Sequence, residues 1–328
     1  MKKNLAALLL LTILTFTFTL SGCTIEETSQ KERPPSTAEN QQSQNTAPTK
    51  ASSTEAIEEK ENQQRETSPA ERPSQELTLH FIDVGQGDSI LITTPNGSTL
   101  LIDAGPQSAG QKVVSYLKKA GITSIDKLIS THPHSDHIGG MQEVLAKFEI
   151  GQIYDPGHVH STRTFEQYLE TIDERNIPFI IAERGMTIDI DPQVAIEILH
   201  PPEPQESANN SSIALKLQYG QIAALLTGDG EKEAEEMMLQ YAGSSVKSTI
   251  LKAGHHGSNT STIEPFLQAV NPEVAIIQVG VNNRYGHPHQ EVLHRLTQKG
   301  IKIYRNDLHG DVVLTTDGHT YTVRTEKE

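Results

Sequence analysis

Residues 131–140, Thr-His-Pro-His-Ser-Asp-His-Ile-Gly-Gly, concentrate metal-binding side chains in one short stretch of the chain. Three histidines and an aspartate fall within the six positions from His132 to His137, directly after an apolar run at 125–130 that is typical of a buried strand. Neutral imidazoles and carboxylates suit zinc, manganese or iron. Because alternate residues leaving a strand face one side, His132 and His134 are predicted to face one ion, and Asp136 with His137 a second one beside it.

The apolar patterns begin at Leu77 and continue to Val323, a span of about 250 residues that suits one large domain better than two small ones. The first part of this span, up to Asp103, alternates apolar and polar residues between tight turns and predicts a β-meander, with Asn96-Gly97 as a two-residue hairpin turn. After it, apolar runs typical of strands alternate with helical patterns. We therefore predict an α/β domain over residues 76–328.

The N-terminal residues predict export. Two lysines, an apolar stretch at 5–20 and small residues up to Cys23 are typical of a signal peptide at 1–22. The Leu-Ser-Gly-Cys ending resembles the bacterial lipobox, which implies lipidation of Cys23; a retained signal-anchor helix is the alternative. Residues 23–75 are too poor in large apolar side chains to fold, so we expect a lipidated, disordered linker. The expected location is extracytoplasmic, as a lipoprotein anchored to the cell membrane.

The cysteine content restricts the possible metal ligands, and the net charge bears on the substrate. Cys23 is the only cysteine in 328 residues, so the chain can form no internal disulfide and the metal site must use nitrogen and oxygen ligands. The formal net charge is −15, whereas nucleic-acid binders usually present a basic face. This balance counts against a DNA substrate without excluding one, since bound divalent ions would reverse the local charge of a cleft.

The histidine cluster matches the His-x-His-x-Asp-His signature of the metallo-β-lactamase superfamily of metal-dependent hydrolases, which the chain resembles from about 76 to 323. Other shared features are an aspartate at a strand end, a Gly-Asp pair after a hairpin, and a histidine after a later strand. The resemblance implies a four-layer αββα sandwich, preceded here by the disordered tether. The matched residues are His132, His134, Asp136, His137, Asp103, Asp229 and the pair His255-His256.

Within the superfamily, the sequence is most similar to the soluble hydrolase domain of ComEC-type competence DNA-uptake proteins, here as a free-standing lipoprotein. The similarity is concentrated in five motifs, at 81–89, 131–140, 226–229, 255–258 and 285–289. The bacterial phosphorylcholine esterases resemble the same pattern, including the paired histidine. Both groups imply a phosphodiester substrate.

The resemblance implies two divalent ions, zinc in the first place and manganese or iron as alternatives. Asp229 would bridge them, and one of the paired histidines would complete the second site. We expect His256 to be that ligand and His255 to contact the substrate or act as an acid, with the reverse assignment as the alternative. The implied metal ligands are His132, His134, Asp136, His137, Asp229 and His256; the implied catalytic residues are Asp136 and His255.

One departure from the superfamily pattern affects the first ion. Many members carry a further histidine in a Gly-His-Thr turn, where this chain has Asn209-Asn210-Ser211-Ser212. His200 could replace it only if the loop that follows folds back. We therefore expect an open or water-filled position at one metal, with Asn210 nearby.

Further residues are predicted to support the metals or to contact substrate. Asp103 is expected to orient a ligand histidine, and the glycine-rich turn after Ile82 to approach an anion. The loop after the strand at 274–279 is expected to contact substrate. These residues are Asp83, Gln86, Asp103, Asn210, Asn282, Tyr285, His287 and His289, whereas His80, His158, His160, His294, His309 and His319 are predicted to be structural or solvated.

The predicted reaction is hydrolysis by a metal-bound hydroxide at a phosphorus or carbonyl centre, with Asp136 orienting the hydroxide or taking its proton. Three hypotheses about the substrate stay open. The first is a surface phosphodiesterase, with single-stranded DNA as a candidate substrate. The second is a hydrolase of phosphocholine or other small phosphoesters of the envelope. The third is a catalytically silent, lipid-tethered binding component, which the complete ligand set disfavours. No protein partner is predicted.

Overall fold

The computed structural model describes residues 75–328. The predicted signal peptide (1–22), the lipidation site Cys23 and the predicted linker up to residue 74 lie outside the described residues. Within 75–328, every helix is too short or too polar to cross a membrane.

Fourteen strands and eight helices build the described part of the chain. The strands are β1 (Leu77–Phe81), β2 (Ile90–Thr93), β3 (Thr99–Ile102), β4 (Ser124–Ile129), β5 (Glu149–Asp155), β6 (Phe179–Ile181), β7 (Val194–His200), β8 (Ala214–Tyr219), β9 (Ile222–Leu226), β10 (Ile250–Lys252), β11 (Val274–Ile277), β12 (Lys302–Arg305), β13 (Val312–Thr316) and β14 (Tyr321–Thr325). The helices are α1 (Gly110–Lys119), α2 (Ser135–Ile138), α3 (Met141–Lys147), α4 (Arg163–Arg175), α5 (Lys232–Ala242), α6 (Glu264–Val270), α7 (Gln290–Gln298) and α8 (Asn306–His309).

The strands form two mixed sheets. The first has eight strands in the order β14-β13-β1-β2-β3-β4-β5-β6 and is antiparallel up to β3, then parallel. The second has six strands in the order β12-β11-β10-β9-β8-β7, parallel from β12 to β9 and antiparallel beyond. The predicted Asn96-Gly97 hairpin joins β2 to β3, with Gly97 at a φ of 87°.

Three apolar layers hold these elements together. Alternate residues of a strand face opposite sides of its sheet, so Ile90 and Ile92 of β2 pack between the two sheets while Leu91 packs under the helices. Residues of both sheets meet in the central layer. Helices α1, α3 and α4 cover the outer face of the first sheet, and α5, α6 and α7 cover that of the second. The four-layer αββα fold is thus confirmed.

A buried carboxyl group on α5 gives the fold a testable dependence on pH. Glu235 accepts a hydrogen bond from the backbone N–H of Ile263 at 2.8 Å and another from Thr262, at the start of α6. Burial raises the pKa of Glu235 to about 8, against 4.5 for a free glutamate. The pKa of Glu235 is higher in the folded than in the unfolded protein. Its contribution to the free energy of unfolding is therefore fully present below about pH 4.5 and is lost as the pH rises through about 8.

We therefore expect Glu235→Gln to destabilise the protein most at acidic pH, where the wild-type carboxyl is protonated and accepts both N–H groups. The difference between the free energies of unfolding of wild type and variant should shrink between about pH 5 and 8. Urea unfolding followed by circular dichroism measures it, with the exposed Glu174→Gln as the control. A difference that stays constant over this range would contradict the assignment.

Candidate metal centre

The residues predicted from the histidine cluster lie at one edge of the two sheets. Parallel strands place their carboxyl ends at the same edge, and here β3 and β4 of the first sheet end beside β9, β10 and β11 of the second. Asp103 follows β3, His132 follows β4, Asp229 follows β9 and His256 follows β10. The site therefore takes its side chains from both sheets.

Asp229 lies at the centre of this site. Its Oδ2 atom is 3.2 Å from His137 Nε2 and 3.2 Å from His256 Nε2. The same oxygen is 3.8 Å from His132 Nε2. All four side chains are buried. Burial alone would raise the pKa of Asp229, but His256 and His137 outweigh it and hold the pKa well below its ordinary value.

His132 and His134 form a second group of converging nitrogens. His132 Nε2 lies 3.0 Å from His134 Nδ1, and the ring centroids are 4.7 Å apart. Burial, together with His137, lowers the pKa of His132 well below its ordinary value, and burial also lowers that of His134. Both rings are therefore neutral at neutral pH, the state that binds a metal.

Asp103 fixes the orientation of one histidine. It is completely buried and accepts hydrogen bonds from the Thr131 backbone N–H at 2.9 Å and the Thr131 hydroxyl at 2.6 Å. His137 Nδ1 lies 2.7 Å from Asp103 Oδ2. A proton shared there leaves Nε2 of His137 directed at Asp229, as in a carboxylate–histidine–metal arrangement.

His256 is oriented in a similar way from the second sheet. Its Nδ1 donates to the Gln278 backbone carbonyl at 2.9 Å, so Nε2 faces Asp229 and lies 3.5 Å from Asp136 Oδ2. Although burial alone would lower it, the Asp229 and Asp136 carboxylates raise the pKa of His256 well above its ordinary value. The His256 ring is therefore protonated at neutral pH, and a bound cation would take the place of that proton.

The side chains fit a metal centre. Among the described residues, the buried Nε2 atoms of His137 and His256 have no hydrogen-bond partner, although Asp229 is close. Unpaired buried polar atoms are costly, and bound ions would satisfy them. Two ligands of a tetrahedral zinc ion are about 3.3 Å apart, which matches the two 3.2 Å distances to Asp229. The buried cluster is therefore suited to divalent ions.

A buried lysine beside the cluster was not predicted. Lys252 Nζ lies 2.5 Å from Asp88 Oδ2 and 3.7 Å from Asp229 Oδ1, and it donates to the Gly228 carbonyl at 2.8 Å. Asp88 Oδ1 lies 3.3 Å from His256 Nδ1. Burial alone would lower the pKa of Lys252, but Asp88 and Asp229 outweigh it and raise the pKa. Ligand atoms of Asp88, His137, Asp229 and His256 lie within 4.8 Å of one another, and Lys252 offsets the charge of Asp88 within this buried group.

A cleft of about 280 Å³ opens over the histidines and carboxylates. His255 lies in its wall, with Nδ1 3.1 Å from Glu231 Oε1. The hydrogen bond from His255 lowers the pKa of Glu231, which is therefore ionised at neutral pH. The lining residues are Gln86, His134, Ser135, Asp136, His160, Thr162, Asp229, His255, His256, Tyr285 and His287.

The loop after β11 forms one rim of the cleft. Tyr285 is 47% exposed and stacks on His287, with ring centroids 5.6 Å apart. Asn283 braces the loop, because its side-chain amide donates to the Gly280 and His287 carbonyls at 3.1 and 2.6 Å. Asn283 thus stabilises the loop, whereas its neighbour Asn282, which was predicted to contact substrate, is exposed.

The glycine-rich turn between β1 and β2 supports the metal-binding loop from below. Gly87 has a φ of 138°, and a Cβ atom there would overlap the Asp136 backbone carbonyl. Gln86 faces the cleft, while its Oε1 accepts the Gly280 N–H at 3.3 Å. Asp83 lies away from the cleft, 3.6 Å from Lys112 Nζ. The turn thus packs against two loops of the site.

Three other predicted residues lie outside the cleft lining. Asn210 connects its turn to the start of α5, since its Oδ1 accepts the Glu231 N–H at 3.0 Å. His200 Nδ1 donates to the Ser212 carbonyl at 3.1 Å, and burial lowers the pKa of His200 to about 4. His289 Nδ1 accepts the Asn259 N–H at 2.9 Å. The structure brings the predicted ligands together, and their roles in binding and catalysis stay predictions.

Comparison with known proteins gives the family. The Metallo-beta-lactamase superfamily matches residues 82–281. ComE operon protein 3 of Bacillus subtilis (strain 168) is 35% identical over 257 residues, 73% of this chain and 33% of that protein. Competence protein ComA of Neisseria gonorrhoeae is 36% identical over 245 residues, 74% of this chain and 33% of that protein. This chain thus spans about a third of the length of these relatives.

Among solved structures, the metallo-beta-lactamase fold protein YhfI from Bacillus subtilis aligns with a TM-score of 0.49 at 13% identity, over 73% of this chain and 100% of that one. The predicted resemblance to ComEC-like competence proteins is confirmed by the sequence relatives. The chain belongs to the metallo-β-lactamase superfamily.

Proposed function

We propose that the protein hydrolyses phosphodiester bonds, with single-stranded DNA as its substrate, outside the cytoplasmic membrane. The observation that carries the proposal is the arrangement of two groups of histidines around one buried carboxylate, Asp229, at the floor of an open cleft. A carboxylate shared in this way suits two neighbouring ions, which are typical of phosphodiester hydrolases. The resemblance to ComEC-type DNA-uptake proteins, together with the name of the relative Competence protein ComA, favours nucleic acid over other phosphodiesters.

The ions would supply Lewis acidity, which lowers the pKa of water and neutralises charge on the phosphoryl group. The ligand set would be His132, His134, Asp136, His137, Asp229 and His256. Zinc is the proposed metal, and manganese or iron suits the same nitrogen and oxygen donors.

The protein's own groups would manage protons and position the substrate. Asp136 lies beside the cleft floor and is ionised at neutral pH, because His256 and His137 hold its pKa below the ordinary value despite burial. Its carboxylate is therefore suited to orient the attacking water by accepting a hydrogen bond from it. His255, oriented by Glu231 at 3.1 Å, is placed to contact the phosphate or donate a proton to the leaving oxygen. Burial lowers the pKa of His287 to about 4, so this ring contacts substrate as a neutral group.

The negative charge of the chain is compatible with this substrate. Bound ions would add positive charge at the cleft floor. At the rim, the Arg284 guanidinium lies 4.9 Å from the Tyr285 ring centroid. A short single-stranded segment could then be bound by the ions, this cation and the exposed aromatic ring.

The proposed location follows from residues 1–23. A lipid anchor at Cys23 would hold the enzyme at the outer face of the cytoplasmic membrane, with residues 24–75 as the linker. Labelled palmitate tests this part: we expect incorporation into the wild type and none into Cys23→Ser. Equal labelling of both chains would contradict lipidation.

A substrate panel tests the activity. Metal-loaded protein is incubated with end-labelled single-stranded DNA, bis-p-nitrophenyl phosphate, p-nitrophenylphosphorylcholine and a β-lactam. We expect cleavage of the first two, lost on adding a chelator and restored by zinc or manganese. Turnover of the choline ester alone would support the phosphorylcholine-esterase alternative. Absence of all turnover with both ions bound would support a silent binding component.

A further inference from the structure

The pair His132 and His134 lacks a third imidazole at the position where many superfamily members provide one. The turn that replaces it, Asn209–Ser211, contributes no histidine. Its Asn210 side chain is engaged by α5, with Nδ2 3.0 Å from Glu233 Oε2 and Oδ1 bound to the Glu231 N–H. A zinc ion bound by two histidines and a shared carboxylate would have three protein ligands and a fourth position that water or a further side chain can fill.

His160 lies beside this pair. Its ring centroid is 5.8 Å from that of His134, with the ring planes at 80°, and both line the cleft. Two imidazoles that share an ion at about 2.05 Å have centroids at most about 6.4 Å apart, because each centroid lies roughly 3.2 Å from the ion. The separation of His134 and His160 is within this limit.

The contacts of His160 leave one ring nitrogen available. Nδ1 lies 3.0 Å from Thr162 Oγ1, and the same hydroxyl oxygen accepts the Phe165 N–H at the start of α4. With the Nδ1 proton donated to Thr162, the lone pair is on Nε2. Hydrogen bonding of one nitrogen to a fixed partner is the usual support for a metal-binding histidine.

The loop that carries His160 is attached to the turn that replaces the family's histidine. His158 Nδ1 lies 3.0 Å from Ser211 Oγ and 3.1 Å from the Gln205 carbonyl. The segment 156–162 thus lies between that turn and α4, and it presents His160 from the first sheet's side of the cleft.

We propose that His160 is a ligand of the ion bound by His132 and His134, replacing the missing family histidine. The inference rests on the two-ion site of the proposed function. His160 was predicted from sequence to be structural or solvated, since it stands outside every superfamily motif.

Metal binding to the full-length protein tests the inference without any substrate. Metal-free protein is titrated with Zn²⁺ by calorimetry, and bound zinc is counted by mass spectrometry after gel filtration. We expect two ions in the wild type. His160→Ala should keep the ion near His137 and His256, while the other binds at least about tenfold more weakly. In Co²⁺-loaded protein, the visible absorption of the weakened site should change.

Controls separate ligation from a general disturbance. His160→Asp, which replaces the imidazole nitrogen by a carboxylate oxygen that can also bind zinc, should recover part of the lost affinity, and the exposed His319→Ala should bind as the wild type does. If His160→Ala fails to fold by circular dichroism, His160→Gln preserves the bulk of the side chain and takes its place. Two ions bound with wild-type affinity by the alanine or glutamine variant would overturn the role of His160 alone. One ion or none in the wild type would instead contradict the two-ion site.

Discussion

Asp229→Ala is expected to abolish hydrolysis and to remove bound metal from both sites. Asp229 Oδ2 lies 3.2 Å from His137 Nε2 and His256 Nε2 and 3.8 Å from His132 Nε2. Among residues 75–328, no other carboxylate oxygen is within 4.0 Å of nitrogens from both groups of ligands. Loss of supporting groups around a metal already costs about 10- to 100-fold in affinity. Loss of a shared ligand should weaken zinc binding by more than about a hundredfold. Calorimetric titration and turnover of bis-p-nitrophenyl phosphate measure the two effects.

The exposed Asp173→Ala is the matched control and should retain two ions and wild-type turnover. Asp229→Asn is informative as well, because it keeps the shape of the side chain but removes the negative charge. We expect it to bind metal as poorly as the alanine variant. Wild-type affinity in either variant would show that Asp229 does not bridge the ions.

Lys252→Met is expected to produce the largest loss of stability in the metal-free protein. It leaves the Asp88 and Asp229 carboxylates buried without the lysine that lies 2.5 Å and 3.7 Å from them. Removing one partner of a buried ion pair costs about 3–5 kcal/mol. Urea unfolding in the presence of a chelator measures the change in the free energy of unfolding, and the exposed Lys147→Met provides the control.

A double-mutant cycle identifies the partner. Asp88→Asn removes one of the two uncompensated charges, so Lys252→Met combined with Asp88→Asn should be more stable than Lys252→Met alone. A coupling free energy between about 0.5 and 3 kcal/mol is usual for residues in contact. Strict additivity of the two substitutions would mean that the lysine and Asp88 contribute independently.

Much of the fold could be predicted from local patterns. Alternation of apolar residues predicted β1 and β2, and Asn96-Gly97 predicted the hairpin that follows. Pairings between distant parts of the chain could not be predicted in this way. Strand β1 pairs with β13, from the other end of the domain, and this register depends on packing between the sheets.

In the site, too, residues in sequence motifs could be predicted, whereas contacts between distant parts of the chain could not. Residues in motifs, such as His132 and Asp229, were predicted because ligand chemistry constrains residue type and spacing. Asp88 lies in the matching motif at 81–89 whereas Lys252 lies outside every motif, and their ion pair is visible only when β10 is placed beside the turn before β2. His160 has no motif, and its position depends on how segment 156–162 packs against the turn at Asn209–Ser211.

The origin of the site's side chains in both sheets affects how the molecule responds to metal supply. His132 and His137 follow a strand of the first sheet, whereas Asp229 and His256 follow strands of the second. Each bound ion would therefore fasten the two halves of the sandwich at its open edge, and binding free energy would add to the cohesion of the fold. Scarcity of metal would then lower the stability of the fold as well as the activity. In a living cell, the loss of stability and the loss of activity would be difficult to separate.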